Sequence, residues 1–218
     1  MTRSPGRWIT AIFTAGLLLA PSSFAFDLSL SGEAVRDAYF LGQRNDDKTS
    51  AFFAQYTRHL PLAKTGPYIS EVELLTPFAQ IVRHSTQNTL GYSAQQAQKD
   101  YEARGDTIEV RVRIDFTATY TGVEFHRPSR NPDNGDAFTP RPLDFWKDFG
   151  FALMQNKENI PSSEPYAEPI VGEDGTHLGA YVWLDYHARA VSSDEVSFEV
   201  NTPDNQHVVA TFDLTHLR

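Results

Sequence analysis

The segment 107–120 alternates apolar and polar side chains along its whole length. A period of two is typical of a strand that packs one face on a hydrophobic core and exposes the other to water. Parallel sheets covered by helices on both faces use nearly continuous apolar runs, so this pattern favours an antiparallel sheet. The apolar side chains are Ile108, Val110, Val112, Ile114, Phe116, Ala118 and Tyr120, and they alternate with Thr107, Glu109, Arg111, Arg113, Asp115, Thr117 and Thr119.

Other segments repeat this alternation more briefly, with turn residues between them. The run 68–82 is predicted to be extended, and Pro77 marks it as an edge strand or a bulge because proline cannot donate a ladder hydrogen bond. About seven strands in total predict a mainly β fold, an antiparallel β-sandwich. The remaining predicted strands are 143–153, 179–190, 197–201 and 208–214, with turns at 173–176 and 202–205.

Helical spacing is confined to two places in the chain. The segment 31–60 is predicted to form a hairpin of two helices, the first capped by Ser31 and the second capped within 45–47 and stopped by Pro61. Ser93 followed by Gln96 is a capping-box pattern, and it predicts one short middle helix over 94–103.

The N-terminal segment has the order of a secretory signal peptide. Arg3 and Arg7 precede an uncharged, mostly apolar run at 8–20, and small residues follow at Ser23 and Ala25. The run is shorter than the roughly 20 residues that a membrane-spanning helix needs. We therefore predict cleavage after Ala25, a periplasmic or extracellular location and no transmembrane segment in the mature chain. The predicted divisions are a signal peptide at 1–25, a helical segment at 26–62 and a β-sandwich-like domain at 63–218.

Composition narrows the classes of function. The 218 residues include 28 acidic and 19 basic side chains and no cysteine, for a formal charge of -9. Cleavage after Ala25 removes two arginines and no acid, which leaves 17 basic and 28 acidic residues and a charge of -11. This acidity argues against nucleic-acid binding, which needs a basic face. The absence of cysteine excludes disulfides, thiolate metal sites and cysteine nucleophiles.

No catalytic or cofactor motif is present in the sequence. The seven histidines form neither an H-x-H nor an H-E-x-x-H pattern, so no metal site and no cofactor are predicted. The G-x-S-x-G elbow and glycine-rich phosphate loops are also missing. If the chain is an exported hydrolase of a polysaccharide or a peptide, the candidate acids are Glu71 and Glu73, which lie on one face of the predicted strand.

The segment 125–142 is the candidate binding loop. It is long for a connection without regular structure, and such loops often carry function. Its basic residues stand out in an acidic chain and would attract an anionic partner; they are His126, Arg127, Arg130 and Arg141. The leading hypothesis is a non-catalytic exported module that binds an envelope or secreted protein or a glycan, or that takes part in envelope assembly. The hydrolase is the alternative.

Overall fold

The computed structural model describes residues 26–125 and 138–218. Within these ranges the chain is mainly sheet, all strand pairs are antiparallel, and four α-helices accompany the strands. The predicted signal peptide at 1–25 lies outside the described residues, so its cleavage stays a prediction. None of the described helices is long and apolar enough to cross a membrane.

Each of the four helices begins at a capping side chain. Ser31, Asp46, Thr76 and Ser93 each accept a hydrogen bond from a backbone N–H in the first turn, which satisfies amide groups that the helix itself cannot pair. The helices are α1 Gly32–Arg44, α2 Asp47–Tyr56, α3 Pro77–Gln87 and α4 Ala94–Arg104.

The strands form two main sheets and one short ribbon. The strands are β1 Thr57–His59, β2 Tyr68–Leu75, β3 Thr107–Asp115, β4 Val123–Phe125, β5 Phe138–Pro140, β6 Gly150–Gln155, β7 Glu158–Ile160, β8 Tyr166–Val171, β9 His177–His187, β10 Glu195–Asn201 and β11 His207–Asp213. The five-stranded sheet has the order β1-β2-β3-β9-β8, and the four-stranded sheet has the order β11-β10-β6-β7. Strands β4 and β5 pair only with each other among the described strands.

The alternating residues of both sheets meet in one hydrophobic cluster. Val112 and Val182 of the five-stranded sheet and Phe198 and Phe212 of the four-stranded sheet are all fully buried within it. A smaller cluster joins α1, α3 and α4 around side chains that include Ala38. The helices therefore form a layer of their own, and α3 also contacts β2 and β3.

The largest error in the predicted elements concerns α3. The alternation of 68–82 ends at Leu75, and a helix follows where an extended run was expected. Thr76 caps this helix and Pro77 occupies its first turn, where proline is favoured because its missing N–H has no intrahelical partner there. The proline thus starts a helix and does not mark a strand edge.

Several predicted boundaries also shift, although the middle helix is confirmed as α4. Helix α2 ends at Tyr56 and does not extend to Leu60, and the strand predicted to reach Tyr120 ends at Asp115. A 3-10 turn at Phe145–Asp148 replaces the first half of the strand predicted over 143–153. Eleven strands are present among the described residues, and seven of them have six residues or more.

Candidate functional site

The outer face of the five-stranded sheet carries the polar half of the alternation and lies beneath one edge of the helical layer. A cleft of about 300 Å³ opens there between α3, the end of α4 and strands β3, β8 and β9. Charged, amide and aromatic side chains line it. Ligand sites are concave and combine aromatic side chains with polar groups that fix the orientation of the ligand, and this cleft contains both, with the polar groups in the majority.

A buried ion network supports the floor of the cleft. Glu73 on β2 is only 1% exposed, and it forms ion pairs with Arg83 of α3 and Arg111 of β3. The Arg111 Nη2 atom lies 3.2 Å from Glu73 Oε2 and donates to Glu71 Oε1 at 2.7 Å. The Arg111 guanidinium also lies 4.9 Å above the Tyr181 ring. Arg111 is therefore held by both charge and packing, and Arg83 is held by its ion pair with Glu73.

Two parallel aromatic rings form a wall of the cleft. Tyr166 on the edge strand β8 is the register partner of Trp183 on β9, and their rings are 4° from parallel with centroids 5.3 Å apart. Tyr166 is 48% exposed. The pair therefore presents aromatic surface to solvent beside charged groups.

Glu109 and Asp185 are register partners on β3 and β9, so their side chains leave the same face of the sheet. Among the described residues neither carboxylate has an ion-pair partner within 4.0 Å. Burial raises the pKa of Glu109 above its ordinary value of 4.5, against the nearby charge of Arg104, and Asp185 raises it further. Burial also raises the pKa of Asp185. Both shifts follow from placing a carboxylate in a partly dehydrated site.

The mouth of the cleft holds polar groups of α3 and α4. Arg104 donates from Nη1 to Gln80 Oε1 at 3.1 Å, and it forms no ion pair within the described part of the chain. His84 Nε2 lies 3.6 Å from Asp100 Oδ2, a pair that is charged on both sides only when the imidazole is protonated. No group of three or more metal-ligating side chains comes together among residues 26–125 and 138–218.

The predicted binding residues divide into one that is described and three that are not. Arg141 is 13% exposed, donates from Nη1 to Glu124 Oε1 at 2.8 Å and lies 3.8 Å above the Tyr120 ring. Its charge is therefore neutralised within the protein, and its guanidinium packs on a neighbouring ring. The other three residues lie outside the described residues; they are His126, Arg127 and Arg130.

The predicted acids Glu71 and Glu73 do share the outer face of β2, as the alternation indicated, because they pair with Arg113 and Arg111 across the strands. Both are engaged with Arg111, so neither is a free carboxylate. The residues that sequence reasoning missed are Glu109, Asp185 and the aromatic pair. The alternation of β3 places Glu109 on the polar face, but only the strand register brings Asp185 beside Glu109 and Tyr166 beside Trp183.

The sequence matches no family model, and no curated protein is significantly similar to it.

Proposed function

We propose that this chain is an exported β-sandwich module that binds a glycan in the outer cleft of the five-stranded sheet. The observation that carries the proposal is the parallel pair Tyr166 and Trp183 beside a polar cleft. A sugar ring has an apolar C–H face that packs on aromatic rings, and its hydroxyl groups exchange hydrogen bonds with charged and amide side chains. The cleft supplies both kinds of surface.

The rigidity of the site also supports binding. The aromatic pair rests on two neighbouring strands, and the floor is held by the Glu73 network, so little side-chain freedom would be lost when a ligand is captured.

We propose export because the first 25 residues contain, in this order, a positively charged start, an apolar run and small residues. The natural ligand would then be an envelope or extracellular glycan, and the module could contribute to envelope assembly by holding it.

A glycan array probed with the purified mature chain tests the proposal. Tyr166→Ala and Trp183→Ala should each abolish or strongly weaken the strongest signals, because each removes one of the stacked rings. Phe40→Ala is the matched control, since Phe40 is an aromatic residue of α1 that is 57% exposed and does not line the cleft. Equal binding by all three variants, each shown to be folded by its thermal transition, would exclude this cleft.

Glycan hydrolysis is the second candidate function, and the Glu109–Asp185 pair favours it. A glycosidase uses two neighbouring carboxyl groups, one as acid and the other as base or nucleophile, and Glu109 and Asp185 are neighbours on one face of the sheet. Release of reducing ends from bound glycans tests this alternative. Activity that disappears in Glu109→Gln and in Asp185→Asn would establish it, whereas binding without any product would leave the chain a binding module.

A further inference from the structure

We infer that the glycan held in this cleft carries free amino groups, as a polymer of glucosamine does. The inference rests on the proposed function, because it names the ligand class of the same site. It follows from the distribution of charge around the aromatic pair, which differs from the distribution on the cleft floor.

The charges on the floor cancel. Arg83 and Arg111 are paired with Glu73 and Glu71, so these four side chains add no net charge to the cleft. An anionic sugar would have to break ion pairs that are largely withdrawn from water, and breaking such pairs is costly. The arginines of the floor are thus poorly placed to attract an acidic ligand.

The charges around the aromatic wall do not cancel. Glu109, Asp185 and Glu168 make no ion pair with the described residues, and Arg104 is the only guanidinium near the first two whose charge is not already paired. The strand register places Glu109 opposite Asp185 and Tyr166 opposite Trp183, and Asp185 lies two residues from Trp183 on the same face of β9, so these groups are neighbours on one face of the sheet. A bound cation would neutralise carboxylates that the fold leaves unneutralised.

An ammonium group on a sugar ring satisfies both parts of the site at once. Its charge would interact with the carboxylates and with the faces of Tyr166 and Trp183, and cation–π attraction grows where water is partly excluded. The C–H face of the same ring would pack on the exposed Tyr166, and the remaining hydroxyls would meet the exposed donors of Gln87 and Arg104. A lysine side chain offers the charge but no ring face, so an amino sugar fits better than a basic peptide.

Calorimetry with four tetramers tests the inference: glucosamine, N-acetylglucosamine, β-1,4-linked glucose and lysine. Glucosamine tetramer should bind at least about tenfold more tightly than the other three, because only it combines the ring with a charge-assisted hydrogen bond. Glu109→Gln and Asp185→Asn should each lower the ratio of the affinity for glucosamine tetramer to the affinity for glucose tetramer by about tenfold, because each removes a charge that only the amino sugar can pair with. Glu195→Gln is the charge-matched control on the other sheet and should bind like the parent.

The outcomes separate this inference from the proposed function. Equal affinity for glucosamine, N-acetylglucosamine and glucose tetramers would overturn the amino-group assignment and keep the glycan site. Lysine tetramer binding as tightly as glucosamine tetramer would also overturn it, in favour of a basic peptide. Failure to bind any sugar, together with the absence of signal on the array, would overturn the proposed function itself.

Discussion

Replacing Glu73 by alanine should destabilise the chain by about 3 kcal/mol, because the carboxylate is the only buried anion that joins β2 to both α3 and β3 through ion pairs in the described structure. Removing one partner of a buried ion pair costs about 3–5 kcal/mol, since the remaining charge is left without compensation. The lower value of this energy range applies to Glu73→Ala for two reasons. The Arg83 and Arg111 side chains are each 21% exposed, so water can solvate them in part, and Arg111 keeps Glu71.

Urea unfolding measures this change directly. With a denaturant dependence of about 2 kcal/mol per molar urea, the loss moves the unfolding midpoint down by about 1.5 M. Glu73→Gln should fall between the parent and Glu73→Ala, because the amide oxygen still accepts from an arginine although the charge is gone. Glu168→Ala, an exposed acid of the same sheet, is the control and should change stability by less than about 0.5 kcal/mol. A Glu73→Ala loss no larger than that of the control would refute the buried-network argument.

Two further predictions concern packing and export. Gly42→Ala should cost about 1–3 kcal/mol in the same urea assay, because its Cβ would lie 2.4 Å from the Val82 carbonyl oxygen of α3, whereas Gly32→Ala, with its nearest atom at 3.7 Å, should cost little. N-terminal sequencing of the protein exported by its native host should begin at Phe26, and an uncut chain would contradict the predicted signal peptide.

The fold was predictable where burial depends on local alternation. Strand β3 and the hairpin of β10 and β11 follow the period of two because one face of each meets the shared core. Helix α3 was not predicted because its first apolar residue, Phe78, continues the spacing of Val72 and Leu74, so the run looks extended. The pair Thr76 and Pro77 carries the signal of a helix start, and only that signal distinguishes the two interpretations.

The cleft was less predictable than the fold, for a physical reason. Glu109 meets Asp185, and Trp183 meets Tyr166, through a strand register that joins positions far apart in the sequence. The burial of Glu73 also depends on packing that the alternation does not show. Its place in the alternation assigns it to the water-facing side, and the layer of helices that covers this side includes the unpredicted α3. The charged residues of one strand indicate which face of the sheet a site would use, but they do not indicate which residues of other elements lie beside them.

The carboxyl group of Glu109 should make the free energy of unfolding depend on pH. Burial raises the pKa of the folded chain's Glu109 above 4.5, so the folded state binds this proton more tightly than the unfolded state does. The stabilisation that comes from this tighter proton binding is fully present at pH values below the ordinary pKa of 4.5. It is lost as the pH rises through the higher pKa that Glu109 has in the folded state. Glu109→Gln removes the charge and should therefore raise the free energy of unfolding, relative to the parent, at about pH 7.5 but not at about pH 3.5. The charged groups that act on Glu109 are Arg104, Asp185, Glu73 and Arg83.

Urea curves of Glu109→Gln and of the exposed control Glu195→Gln at both pH values measure this effect, and a gain that does not depend on pH would contradict the assigned cause. The same variant should lose affinity for the glucosamine tetramer. Stability and binding would then change in opposite directions at neutral pH, which a purely structural carboxylate does not produce. Local conflicts with stability, such as a half-buried acid that weakens the fold, are typical of functional sites.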